Sequence, residues 1–362
     1  MMSQESQEII SDRPGPKNMM EVIMVTGKRF LAGLLVLAAF LFLGTGAEAR
    51  RFFVIATGGT GGTYYPLGGV LAQALSDKVP DVIVTAQAGN ASVQNCNLIG
   101  ARQVESAFVQ SNIAYNAFNG LEQFKDRPVR NLRAIASLYP ETIQIVARAD
   151  SGIRTAADIR GKRLIPGDRG SGTEVDTRNV LAALGLTYAD FAGTDFLGFS
   201  GAAQRLKDKQ TDVTFTTAGF PTAAITELAT TSDIILVPLE DRTIADLVKA
   251  HPFYARVMIP AGTYRGVTRP VPAITTMALW VVDADVPEDV VYRLTNALWE
   301  KGRFALRRGP GDVADVAPSG AEIMAQFHAQ GRNVTLPTAL DGIAIPLHPG
   351  AARYYREKGM IK

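Results

Sequence analysis

From Arg51 onward, short runs of β-branched and aromatic residues alternate with stretches whose apolar positions recur every three or four residues. The first kind of pattern is that of a buried strand and the second that of an amphipathic helix. On this basis strands are predicted over Phe52–Thr57, Val82–Gln87 and Glu105–Gln110, each followed by a helix: about Tyr65–Lys78, Ser92–Ala101 and Ser111–Phe118. Single helices between strands imply a parallel sheet with right-handed crossovers, hence an α/β fold.

Two adjacent strand-like runs follow, Leu132–Tyr139 and Thr142–Ala147, after which the pattern restarts. Lys162–Ile165, Asp212–Thr216 and Ile234–Pro238 read as strands, with helices over Thr173–Leu184 and near Thr222–Ala229. Ile274–Val282 is a further strand and Pro287–Leu306 a long amphipathic helix with proline near its first turn. If the chain crosses once near Leu132–Ala147 and returns through Val257–Tyr264, both ends of the chain share one lobe. The expected division is 50–140 with 262–362 as lobe 1 and 141–261 as lobe 2. A ligand cleft then lies between the lobes, at the carboxyl ends of the strands.

The N-terminus carries a different pattern. Lys28 and Arg29 precede an unbroken apolar run from Phe30 to Leu43, and Ala47 and Ala49 stand at the −3 and −1 positions of an Ala-x-Ala cleavage site. That combination is a secretory signal, too short in its apolar part to span a membrane. Residues 1–49 are therefore expected to be removed after Ala49, with Met19, Met20 or Met24 as an alternative start. The mature chain is expected to be periplasmic and not membrane-embedded.

Composition narrows the chemistry. The 37 basic and 35 acidic side chains balance closely, unlike the concentrated basic surface of a nucleic-acid binder. One cysteine, Cys96, allows no internal disulfide, and three histidines with no helical pair leave no metal-site pattern, so neither metal nor cofactor is expected. The Gly59-x-Gly61 spacing meets Tyr64 where a dinucleotide fingerprint needs glycine, and no phosphate loop occurs. Gly198-Phe199-Ser200-Gly201 is not a nucleophile elbow. His348, before Pro349-Gly350, reads as fixing a turn before the last helix. Glu141, Glu174 and Asp176 are acids that spacing alone does not pair.

One device recurs: a strand, a small polar or glycine loop, then a helix. It occurs at Thr57–Tyr64, Gln87–Ser92, Gly167–Thr173 and Thr216–Thr222. Such turns present unpaired N–H groups at the positive end of a helix, a setting that suits an anion, although the same residues are ordinary helix caps. Arg169, in the third of these loops, is the candidate to grip a carboxylate bidentately.

Several of these segments also resemble one family. Ile55-Ala-Thr-Gly-Gly-Thr-Gly-Gly-Thr-Tyr-Tyr-Pro-Leu-Gly68, Gly89-Asn-Ala-Ser-Val-Gln-Asn95 and Phe108-Val-Gln-Ser-Asn-Ile-Ala-Tyr115 resemble the TAXI family of TRAP transporter solute-binding subunits. So do Gly170-Ser-Gly-Thr-Glu174, Ala218-Gly-Phe-Pro-Thr222, Ile259-Pro-Ala-Gly-Thr-Tyr264 and the closing His348–Gly359 segment. The resemblance implies a type II periplasmic binding fold of two hinged α/β lobes. It also implies a TRAP membrane permease as partner and a small carboxylate such as glutamate or 2-oxoglutarate as ligand. By position it implies ligand contacts at Gly59, Thr60, Thr63, Tyr64, Ser92 and Gln110. From lobe 2 it adds Ser171, Gly172, Thr173, Ala218, Gly219 and Pro221. Asn90-Ala91-Ser92 departs from the more usual Gly-Gly-Ser, and Asn112 stands where the family often has aspartate. A periplasmic enzyme acting on a small acid and a ligand-presenting sensor subunit are the alternatives.

Overall fold

A computed structural model describes residues 50–303 and 316–362. The predicted signal peptide and its cleavage site lie outside the described residues, as does the end of the predicted helix 287–306.

Three βα units open the chain: β1 Arg51–Ala56, α1 Tyr64–Lys78, β2 Val82–Gln87, α2 Ser92–Gly100, β3 Ser106–Gln110 and α3 Ser111–Asn119. β1 pairs in parallel with both β2 and β3. β4 then runs unbroken from Leu132 to Arg148. The two strand-like runs that the sequence separates at Pro140 form one long strand instead, with the proline opposite Met277 and a register irregularity between Ser137 and Tyr139. Next come β5 Arg163–Ile165, α4 Gly172–Ala183, β6 Gly193–Thr194, α5 Phe199–Lys207, β7 Val213–Ala218, α6 Ala223–Thr231 and β8 Ile234–Leu236. α7 Asp241–Ala250 and β9 Ala255–Ile259 lead to the second long strand, β10 Val271–Asp283. The described chain ends with α8 Glu288–Trp299, the short pair β11 Gly302–Arg303 and β12 Val316–Ala317, α9 Gly320–Phe327 and α10 Pro349–Glu357. α8 stops at Trp299, short of the predicted Leu306, because Glu300 is already extended.

The hydrogen-bonded order is β2-β1-β3-β10-β4-β7-β5-β6, with β8 on β4 and β9 on β10. β4 and β10 are antiparallel and serve both halves of this sheet. The first part of β4 pairs with the latter part of β10, and its second part pairs with β7 and β8. β10 in turn pairs with β3 and β4 through its latter part and with β9 through its first part. Each half has apolar layers on two faces. In the first, Phe53, Leu67, Trp280, Leu294 and Tyr354 form one layer and Cys96, Ile99, Ile113 and Leu279 the other. In the second, Ile145, Leu164, Phe215 and Leu247 form one layer and Val146, Leu206, Ile225 and Tyr264 the other. Cys96 is a free, buried core residue. Among the described residues no helix is long and apolar enough to cross a membrane.

Candidate functional site

The helices that follow β1, β2, β5 and β6 converge by their N-termini on one cavity of about 80 Å³. Its wall takes Gly58, Gly59, Gly62, Thr63 and Tyr64 from the first loop and Gly89 to Ser92 from the second. Across from them stand Asp168, Ser171, Gly172 and Thr173, then Gly198 and Phe199, then Thr217 and Ala218. Gln110 and Glu141 complete it. The N-caps of α1, α2 and α5 (Thr63, Ala91 and Gly198) make no side-chain capping bond. Apart from the Gln94 N–H of α2, which donates to the Gly170 carbonyl, their first-turn N–H groups and dipole ends therefore carry unspent donor capacity at the cavity. At α4 the Ser171 hydroxyl accepts from the Glu174 N–H, an ordinary cap.

Ala91 reaches the cavity in an unusual conformation, φ 65° and ψ −144°, a region that glycine adopts freely and alanine does not. This is the position where the sequence departs from a Gly-Gly-Ser run.

The two halves meet closely around the cavity. The Ala224 N–H donates to the Gly61 carbonyl (3.1 Å), and the Gln94 N–H to the Gly170 carbonyl (3.0 Å). The Thr63 hydroxyl donates to the Gly219 carbonyl at 3.3 Å. Asp176, fully buried on α4, accepts from Gln110 Nε2 (2.7 Å), Asn112 Nδ2 (3.1 Å) and the Tyr254 hydroxyl (2.6 Å). Burial raises its pKa to about 6 against the pull of those donors. A Cβ on Gly172 would lie 1.5 Å from Gln110 Oε1, so only glycine lets this seam close as it does.

Glu141, 2% exposed, sits where β4 passes between the halves and accepts a 2.6 Å hydrogen bond from the Tyr64 hydroxyl. Burial first, and nearby Asp176 second, push its carboxyl well above the usual range, while the Tyr64 bond opposes them. Sequence reasoning noted Glu141 only as an unpaired acid. The one signal that could have raised it was its place beside Pro140 at the crossing between lobes. Phe199 and Asp168 were likewise missed. Among the described residues lining the cavity, none is Lys, Arg or His.

Of the residues singled out from sequence, Gly59, Thr63, Tyr64, Ser92, Gln110, Ser171, Gly172, Thr173 and Ala218 line the cavity together. Thr60 is exposed outside it. Gly219 belongs to the seam instead: a Cβ on it would strike Gln330, and the neighbouring Phe220 carbonyl accepts from Gln330 Nε2, while Pro221 is exposed outside the cavity. Arg169 is exposed, and its guanidinium lies 3.8 Å over the Phe196 ring, away from the cavity lining. The structure therefore gives the arginine an aromatic partner rather than a place in the wall, since the flat cation gains more over a ring than in open water. Asn112 is spent on Asp176. Glu174 pairs with Arg178 and Tyr188, away from Glu141. His348 caps α10 by accepting from the Gly350 N–H.

A mixed α/β sheet in two halves, crossed by two shared antiparallel strands and holding a cavity at converging helix N-termini, is the type II periplasmic binding protein architecture. Residues 55–359 match the model of the NMT1-like family, and the chain belongs to that family. The periplasmic aliphatic sulphonate binding protein SsuA of Escherichia coli is similar over 85% of this chain and 83% of its own, at 14% identity and TM-score 0.46. PhnD1 of Prochlorococcus marinus, solved with methylphosphonate, is similar over 85% and 99% at 9% identity and TM-score 0.47. A putative L-cystine ABC transporter protein of Listeria monocytogenes is similar over 68% and 89% at 13% identity and TM-score 0.43.

Proposed function

We propose that the protein is the solute-binding subunit of a periplasmic transport system, which captures a small carboxylate between its two halves and hands it to a membrane permease. The observation that carries this reading is the cavity itself, built from both halves and ringed by helix N-termini without side-chain caps. Backbone N–H groups at such termini bind anionic oxygens without a lysine or arginine. The division into 50–140 with 262–362 and 141–261 is part of the proposal, with closure of one lobe on the other as the working motion. A ligand that binds only the closed form shifts the population toward it. The TRAP type of permease, and glutamate or 2-oxoglutarate as ligand, rest on the motif resemblance to the TAXI family, narrower than the NMT1-like membership. Export through the signal at residues 1–49 supplies the periplasmic location.

A thermal-shift screen of the purified protein against small carboxylates tests the reading. A true ligand at 100 times its dissociation constant adds about 2.7 kcal/mol to stability. One acid that raises the unfolding midpoint and is recovered unchanged supports a binding protein. Consumption of the acid would transfer the protein to the enzymes, and silence across a broad acid panel would remove the carboxylate.

A further inference from the structure

Asp176 is a buried carboxylate where the two halves meet, and every group that bonds to it is neutral. It sits on α4 with no exposed surface. From the first half, Gln110 Nε2 at the end of β3 donates to it at 2.7 Å and Asn112 Nδ2 of α3 at 3.1 Å. Its own half supplies the Tyr254 hydroxyl at 2.6 Å and the facing Thr217 hydroxyl. The titratable groups around it are Tyr254 and Glu141 of β4, whose own buried carboxyl opposes a second charge. His251 packs its ring on Tyr254, 5.6 Å between centroids. Glu174 and Arg178 of the same helix pair with each other instead. A charged carboxylate so placed loses most of its hydration, and neutral hydrogen bonds return only part of it. The two amides from the first half leave when the halves part, and water takes their place. The cost of the buried charge is therefore a cost of closure. A groove of about 170 Å³ borders the cluster through Asn112, Asn179, His251 and Tyr254, which gives a proton a short way in.

We propose that Asp176 links closure of the two halves to a proton: the halves come together with Asp176 neutral and part more readily when it is charged. This rests on the solute-binding reading above and adds a means of regulation to it. In the closed arrangement burial raises the carboxyl to about 6 against the pull of its donors, whereas water in an open seam returns it toward the ordinary 3.8. Because the proton is held more tightly closed than open, closure gains fully below about pH 4 and loses that gain as pH rises through about 6. The Thr217 hydroxyl, which has no other partner, accepts from the protonated acid. A solute held by the closed form alone follows the same course, gripped in acid and released as pH rises.

Two backbone amides report the opening. The Gln94 N–H in the first turn of α2 and the Ala224 N–H in the first turn of α6 have no acceptor in their own helices. Their bonds, to the Gly170 and Gly61 carbonyls, both cross the seam. Hydrogen exchange of the purified protein without added solute, read amide by amide by NMR and corrected for the intrinsic effect of pH, gives their protection. That protection is expected to fall roughly 30-fold from about pH 4.5 to about pH 7.5. It is expected to stay well below the protection of the β10 amides, which exchange by unfolding. In Asp176→Asn the fall is expected to vanish. Tyr254→Phe removes a donor to the charged form, so its fall is expected at higher pH, and this variant decides if Asp176→Asn does not fold. Protection that ignores pH in the wild type, a fall that survives in Asp176→Asn, or one that Tyr254→Phe leaves in place overturns the proton link and leaves two closing lobes. Exchange of Gln94 and Ala224 in step with β10 overturns closure itself, and this proposal with it.

Discussion

Replacing Gly172 with alanine separates folding from closure. Gly172 opens α4 with ordinary backbone angles, so alanine costs nothing in conformation there and improves helix propensity. The obstacle is across the seam: the added Cβ would lie 1.5 Å from Gln110 Oε1 and 3.0 Å from Ser92 Oγ. A carbon–oxygen contact settles near about 3.3 Å, so the groups must part by nearly 2 Å. Gln110 has little room to give. Its N–H donates to Ser92 Oγ at 3.1 Å, and its Nε2 to Asp176 at 2.7 Å. Moving it away surrenders a buried hydrogen bond to a carboxylate, worth about 1.5–3 kcal/mol. The other way out is for the two halves to stay apart, which costs the closed form alone.

Either route penalises the closed state and leaves each half intact. Apparent affinity scales with the binding-competent fraction. A penalty of about 2–3 kcal/mol therefore weakens binding roughly 30- to 150-fold. Titration of an acid found in the screen reads the loss, and small-angle X-ray scattering reads whether the ligand still compacts the protein. The unfolding midpoint without ligand is expected to stay within about 2 °C of wild type. Undiminished affinity would show that Gln110 yields freely and that the close approach at Gly172 is incidental. A collapse of the ligand-free midpoint would show instead that the seam is permanent core, and the closure argument would fail.

Two further outcomes follow from the same region. Asp176 titrates near 6 in the folded protein, raised from the ordinary 3.8 by burial. The unfolded chain releases this proton first, so Asp176 stabilises the fold fully below about pH 4 and loses that contribution as pH rises to about 6, a change of roughly 3 kcal/mol. Urea unfolding at several pH values is expected to show this slope and to show it flattened in Asp176→Asn; an unchanged slope would place the titrating group elsewhere. At Ala91 the positive φ costs of order 1–3 kcal/mol, against a glycine entropy cost of roughly 0.5–1 kcal/mol. Ala91→Gly is therefore expected to raise stability by about 1 kcal/mol, read by urea midpoint, and a loss of stability would contradict the strain.

What the sequence disclosed and what it hid divide along a physical line. Most of the elements named in advance are set by local chemistry. β2 appears over the predicted Val82–Gln87, and α2 ends one residue before the expected Ala101. The glycine and hydroxyl loops were legible for the same reason, since helix starts need such residues whether or not a ligand visits. That double purpose is also why the loops could not be ranked: Thr60, Gly219 and Pro221 look no different in sequence from Thr63 and Gly172, yet only the latter two line the cavity. Arg169 was the natural partner for a carboxylate until Phe196, 27 residues on by sequence number, was brought beneath it. Pro140 hid the continuity of β4, because proline is rare inside a ladder, and the pairing with β10 that carries β4 through it joins residues more than a hundred positions apart. Glu141 is the extreme case. An acid after a proline reads as a solvated turn, and it becomes a buried cavity wall only when Tyr64 and Asp176 arrive from opposite halves. The hidden residues are those whose environment is created by the meeting of the halves, which is also where a ligand would be read.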